Sequence, residues 1–326
     1  MNLTRRTFVG AAAAATTLIA KPAILFAAEP LVVGYVPGNA IHWIQSVCLE
    51  KGFYKEAGFD AKGATMQNSP QAMQSLISGG YQLATTQPEP LAAAWAHGAK
   101  NVAAIAAPMN AADWILSGKK GVNKLTDLKG QVIGVSSLRT SEVWLTTRLL
   151  EKAGLKKGEF NFIQSGVSPL KVAALLKGSI GAAVLFRPSA DVAETQGLAG
   201  LAKYADLRAY PPILYCVNRD WAAKGNAGKR AAAAIKKGHE WMWDPNNKKE
   251  SIAILAKYTK LDTKLLEPVY NDYFVKTALY SKDGAIHLDG FTNALDDMAE
   301  DGSVFTKAPP AKDMVLPANL GGMIAS

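Results

Sequence analysis

Two arginines carry the clearest chemistry in this chain. Arg139 and Arg187 each fall just after a short apolar run, where a strand gives way to a helix. A guanidinium presents a planar fork of donors that matches a carboxylate, sulfonate or phosphate. One or both could serve a ligand in this way. The other reading of each is a solvated side chain, or one paired with a neighbour such as Glu142. Similar turns carry Asn39, His42, Trp43, Ser69, Thr86, Gln87, Ser137, Thr140 and Ser168, and these complete the candidate ligand-binding set. Hydroxyls and amides orient a polar ligand without breaking its bonds. Ser69, Ser137, Thr140 and Ser168 are placed first of all to cap helices, and a cap facing a cleft can also touch a ligand. Two readings stand for His42 and Trp43: a neutral donor beside a flat apolar wall, or a solvated histidine beside a buried tryptophan. Trp114 either faces a cleft or fills a hinge core. Glu89, at a helix start after Pro88, suits compensation of the helix dipole.

The patterns that break bonds are missing from the sequence. His42, His97, His239 and His287 show no metal-ligand spacing. There is no Gly-x-Ser-x-Gly elbow and no glycine-rich phosphate loop. His42 has Ile41 and Trp43 as neighbours and no evident acid to orient it, as a general base requires. Cys48 lies in a helical pattern and Cys216 in a strand pattern, so both read as small buried hydrophobes. These residues point to binding with no catalytic site, no cofactor and no metal.

Composition narrows the class. The chain has 326 residues, 49% hydrophobic and 19% charged, which is ordinary for a globular protein and long for a single core. Residues 1–28 read as a twin-arginine export signal: Thr4-Arg5-Arg6-Thr7-Phe8, an uncharged stretch over 9–20, then small residues at Ala27-Ala28. That segment holds three basic residues and no acid, so its removal lowers the formal charge from +9 to +6. The remaining lysine pairs, such as Lys119-Lys120 and Lys236-Lys237, are scattered and form no basic stripe, which argues against nucleic acid. The acidic group Asp296-Asp297 with Glu300-Asp301 is read as solvated or as touching a partner.

An internal repeat supplies the elements that must position these residues. Val32-Val33-Gly34 corresponds to Val132-Ile133-Gly134, Ser69-Pro70 to Ser168-Pro169, Leu76 to Leu175 and Gly79 to Gly178, at an offset of about 100 residues. Each copy reads strand, helix, strand, helix, strand: 31–36, 43–57, a second strand, 70–77 and 82–86, then 132–136, 140–153, 160–163, 169–177 and 182–186. Strands alternating with helices predict an α/β protein with parallel sheets. Apolar runs at 113–118 and 213–218 read as strands crossing between two lobes. The first lobe is expected over 29–112, the second over 113–217, and the rest of the first lobe with C-terminal helices over 218–326. Ligands of such sheets bind beyond the carboxyl ends of the strands. There the helix starts offer free N–H groups and favour an anion.

The chain resembles periplasmic substrate-binding proteins of ABC importers, nearest to the sulfonate, taurine, nitrate and thiamine-precursor binders. The resemblance rests on Lys51-Gly52-Phe53-Tyr54-Lys55-Glu56-Ala57-Gly58-Phe59, on Leu76-Ile77-Ser78-Gly79-Gly80, and above all on Leu125-Thr126-Asp127-Leu128-Lys129-Gly130-Gln131-Val132-Ile133-Gly134-Val135. It runs from Leu31 to about Asp301. Gln82 and Gly181 stand where the family commonly has an acid. The resemblance implies the type II two-lobed fold, closure about a hinge, a small-molecule ligand, and delivery by a periplasmic monomer to an inner-membrane ABC permease. It leaves the ligand open between a sulfonate or carboxylate and a thiamine-pyrimidine precursor. An enzyme on the same fold and a receptor-coupled sensor are the competing classes.

Overall fold

The computed structural model describes residues 28–325 apart from 110, 208, 278 and 303. The twin-arginine pattern lies outside the described residues.

Among the described residues, ten strands form two five-stranded sheets. The first half of the chain runs β1 (Glu29–Tyr35), α1 (Trp43–Glu50), α2 (Phe53–Glu56), β2 (Phe59–Thr65), α3 (Ser69–Ile77), β3 (Leu83–Thr86), α4 (Pro88–Ala96) and β4 (Val102–Ala106). The second sheet is built from one contiguous stretch: β5 (Ile115–Gly118), β6 (Val132–Val135), α5 (Ser141–Lys152), β7 (Asn161–Gln164), α6 (Ser168–Leu176), β8 (Ala182–Leu185), α7 (Ser189–Thr195) and β9 (Ala199–Lys203). The chain then returns to the first sheet with β10 (Leu214–Asn218).

The strand orders are β2-β1-β3-β10-β4 and β7-β6-β8-β5-β9, the same plan twice. Registers agree as well: Gly34 sits opposite Ala84, and Gly134 opposite Ala183. Both glycines are required by close packing. A Cβ on Gly34 would lie 2.5 Å from the Tyr81 ring, and one on Gly134 would lie 2.8 Å from Ile180 Cδ1. The repeat extends further than its clearest sequence matches, because β3-α4-β4 is answered by β8-α7-β9. Each sheet is parallel-rich but mixed. The strands read as crossings, β10 and β5, lie antiparallel to both neighbours in the sheets they enter.

Helices α8 (Arg219–Ala223), α9 (Ala227–Trp243), α10 (Lys248–Thr259), α11 (Thr263–Asn271) and α12 (Leu288–Asp301) complete the chain's regular elements. α11 is capped by Asp262, whose side chain accepts from Lys264 N at 2.8 Å, and it gives way to a π-helical turn over Asp272–Lys276. This group supplies the lid of the first core. The Trp43 indole, wholly buried, donates to Ser251 O at 2.9 Å and meets Tyr270 and Phe274 edge-on. A smaller core under the second sheet gathers Ile115, Val172, Leu175, Ile180, Leu185 and Leu198. Trp114 is buried between Phe186, Tyr204 and Tyr210, with ring centroids 5.2–6.4 Å apart, so it fills the junction between lobes. Cys48 and Cys216 are buried and free. Among the described residues no helix is long and apolar enough to cross a membrane.

Candidate ligand-binding cleft

The carboxyl ends of β1, β3, β6 and β8 bring two sets of loops face to face. The contact is direct, since Ala40 N donates to Arg187 O at 2.8 Å. Between the loops lies a small cavity of about 30 Å³. The first lobe lines it with Asn39, His42, Ser69 and Gln87, and also with Gln67 and Asn68. The second lobe contributes Ser136, Ser137, Thr140 and Glu142, with Phe186 and Ile213 as apolar surfaces. The cavity is far smaller than an ordinary ligand pocket.

Two serines brace the cleft in the same way. Ser69 Oγ accepts from Gln87 N at 3.1 Å, and Ser168 Oγ accepts from Phe186 N at 3.1 Å. Each therefore ties the first turn of a helix to the end of the next strand, instead of capping the helix. Asn68 caps α3 by accepting from Gln71 N at 3.0 Å, while Thr140, at the cap position of α5, makes no side-chain cap bond. Its hydroxyl donates to Ser137 O at 3.1 Å.

The electrostatics of the cavity come from a buried ion pair. Lys171 Nζ reaches Glu142 Oε2 at 3.1 Å, and neither side chain has exposed surface. Glu142 Oε2 also accepts from Ser136 N at 2.9 Å, and Lys171 donates to Ser136 Oγ at 3.1 Å. Burial lowers the Lys171 pKa, and Glu142 opposes that fall. Four buried atoms of lining residues have no hydrogen-bond partner: Asn39 Oδ1, His42 Nδ1, Gln87 Oε1 and Glu142 Oε1. Burial pushes the His42 pKa down to about 3, so its imidazole is neutral at physiological pH.

Of the two readings of each arginine, the structure shows Arg187 paired and Arg139 exposed. Arg187 is engaged by Asp272, and Asp191 lies 3.3 Å from its other terminal nitrogen. Burial raises Asp113 to about 7 and Asp191 to about 6 although Arg187 pulls both down. Burial also raises Asp272, but hydrogen bonds from Arg187 and Lys276 outweigh it and hold this carboxyl below its usual range. Arg139 is exposed and lines an open groove of about 1050 Å³ beside α5 and α12, which adjoins the cavity at Thr140. In that groove Arg148 stacks over Trp144 and bridges to Asp297 at 3.2 Å and to Glu300, which gives part of the acidic group an internal partner. At the first turn of α4, Glu89 is buried and accepts from the Tyr210 hydroxyl; burial pushes its pKa up to about 7.

Residues 39–248 match the model of the family described as NMT1/THI5 like. The match covers more than half of the chain. The chain belongs to the NMT1/THI5-like family. Solved structures agree on the fold. The alkanesulfonate-binding protein SsuA from Xanthomonas axonopodis pv. citri, bound to MOPS, superposes with a TM-score of 0.73 at 16% identity, covering 87% of this chain and 97% of that one. The periplasmic aliphatic sulphonate binding protein SsuA from Escherichia coli gives 0.71 at 19% identity, covering 89% and 92%. The periplasmic nitrate-binding protein NrtA from Synechocystis PCC 6803 gives 0.65 at 15% identity, covering 74% and 70%. At these identities the likeness is one of fold, and that fold is the two-lobed periplasmic-binding-protein fold. No curated protein matches the chain.

Within this NMT1/THI5-like chain, six of the residues singled out in the sequence meet at the cavity: Asn39, His42, Ser69, Gln87, Ser137 and Thr140. Five do not. Trp43 is a core residue because it caps the apolar stack under α10 and α11. Thr86 is wholly buried behind the cleft, with its hydroxyl near Ser69 O and Gln87 O. Ser168 braces a loop, Arg187 is held by two carboxylates, and Arg139 points to other chemistry. The buried pair of Glu142 and Lys171 is not among the residues singled out in the sequence. Their signal is present in α6, where Ser168, Lys171, Val172 and Leu175 form the buried face. A lysine on an apolar stripe demands a buried counter-charge.

Proposed function

We propose that this protein is the solute-binding component of an ABC importer, working as a periplasmic monomer after export by its N-terminal signal. It captures a small polar organic molecule between its lobes and presents it to an inner-membrane permease. The observation that carries this reading is the cavity that strand-end loops of both lobes form jointly, lined by polar side chains among apolar ones. Hinged separation of the lobes admits the ligand, and closure surrounds it. An arginine-clamped sulfonate or carboxylate loses support, because Arg187 is occupied and Arg139 lies outside the cavity.

The test is a thermal-shift screen of the mature protein with sulfonates, carboxylates, nitrate, pyrimidines and amines. A ligand at about a hundred times its Kd adds roughly 2.7 kcal/mol of stability. The binding reading expects a raised melting temperature, a smaller radius of gyration in scattering, and a ligand recovered with unchanged mass. A product of different mass that forms with the wild type and not with His42→Ala would replace it with the enzyme reading.

A further inference from the structure

We infer that Glu142, neutralised by Lys171, is the specificity-determining residue of the cleft, and that it selects a ligand presenting N–H donors of the amine or amidine class. The inference rests on the reading of this cavity as the ligand site.

A carboxylate can only accept hydrogen bonds when ionised. Glu142 Oε2 is already engaged by Ser136 N and Lys171 Nζ. Its Oε1 has no partner, although the side chain is fully buried and lines the cavity. A buried acceptor left unpaired is destabilising, more so when charged, and a ligand donor relieves it. Three further unpartnered polar atoms belong to residues lining the same cavity: Asn39 Oδ1, Gln87 Oε1 and His42 Nδ1. The two amides can turn to present either end, and neutral His42 can donate or accept. They therefore adapt to the ligand, whereas Glu142 sets the rule.

An anion is disfavoured by the same geometry. No lysine or arginine is among the described residues lining the cavity, and Lys171 already spends its charge on Glu142. A carboxylate or sulfonate brought here would meet a carboxylate oxygen. The pair is formally neutral, so the ligand need not be a strong cation. Phe186, Ile213 and Val36 offer apolar surface for its carbon body.

The experiment titrates the full mature chain calorimetrically with matched probes: benzylamine and benzamidine against benzoate and benzenesulfonate. The proposal expects the nitrogen donors to bind and the anions of equal size to fail. Glu142→Gln should weaken the donor probes roughly 10- to 100-fold. Glu142→Leu with Lys171→Met, which removes both charges together, should do the same while retaining the fold by circular dichroism. A preference for the anions, no binding of either donor at millimolar concentration, or unchanged affinity in both variants overturns the proposal. Asn39→Ala and Gln87→Ala separate the two levels. If they weaken binding and the Glu142 variants do not, the cavity is the site and the selection rule is wrong. If no lining variant changes binding of a probe that does bind, the cavity itself is not the site.

Discussion

The two lobes repeat one frame and differ in what they place on it. Strand order, the packed glycines Gly34 and Gly134, and the serine braces Ser69 and Ser168 are shared. The contrast lies in the first turn of the helix after each leading strand, and at one position of the next helix. The first lobe has Ile44 and Ala72 at the matching positions, both buried and apolar. The second has Glu142 and Lys171, both buried and charged. The first lobe thus turns neutral amides and an imidazole toward the cleft, and the second turns a carboxylate that brings its own counter-ion. The two lobes share the scaffold and differ in the side chains that it carries at the cleft.

Breaking that contrast should have the largest effect at Lys171. Lys171→Ala leaves Glu142 buried without its partner and should cost about 3–5 kcal/mol. Urea unfolding measures this, and adding Glu142→Leu should recover most of the loss. A single-variant cost below about 1 kcal/mol would mean that the pair contributes little to the second lobe.

The pH response sharpens the comparison further. His42, in the first lobe, has a folded pKa of about 3 against 6.5 unfolded. The unfolded state binds the proton first, so stability is lost as pH falls below 6.5, by up to about 1.4 kcal/mol per unit. Asp113 has the opposite sign. Its folded pKa of about 7 exceeds the ordinary 3.8, so the folded state binds the proton first and stability is lost as pH rises between about 4 and 7. His42→Gln should therefore gain on the wild type as pH drops from 6.5 to 4 in chemical denaturation. Asp113→Asn should instead gain as pH rises from 4 to 7. Parallel profiles for the two variants would contradict both assignments.

Smaller effects test what the lobes share. Ser69→Ala and Ser168→Ala each remove one acceptor from a buried backbone N–H and should each cost about 1–3 kcal/mol, by nearly equal amounts. Unequal melting-temperature shifts would show that the braces are not equivalent. Arg139→Ala, at an exposed position, should change stability by less than about 0.5 kcal/mol.

Local signals in the sequence were enough for the frame. Helix starts at Ser69-Pro70 and Ser168-Pro169, and strand ends before Pro37-Gly38 and Arg187-Pro188, depend on residues close in the chain. The site depends on partners that are not. Arg187 finds Asp272, and Trp43 finds Ser251 O 208 residues away. No local pattern distinguishes a guanidinium that will be neutralised by such a partner from one that will face a ligand. Lys171 is the exception, since a lysine on an apolar helical stripe is a local signal, though it is not among the residues singled out in the sequence.

The position of β10 has a consequence for synthesis on the ribosome. It lies between β3 and β4, so the first sheet cannot close until residue 218 has emerged. The second sheet is complete once β9 ends at Lys203. The lobe that begins second is therefore able to finish first. Until β10 arrives, β3 and β4 each have an unpaired inner edge, and such edges invite pairing with another chain. A nascent chain stopped between these two points would hold one sheet closed and the other still open.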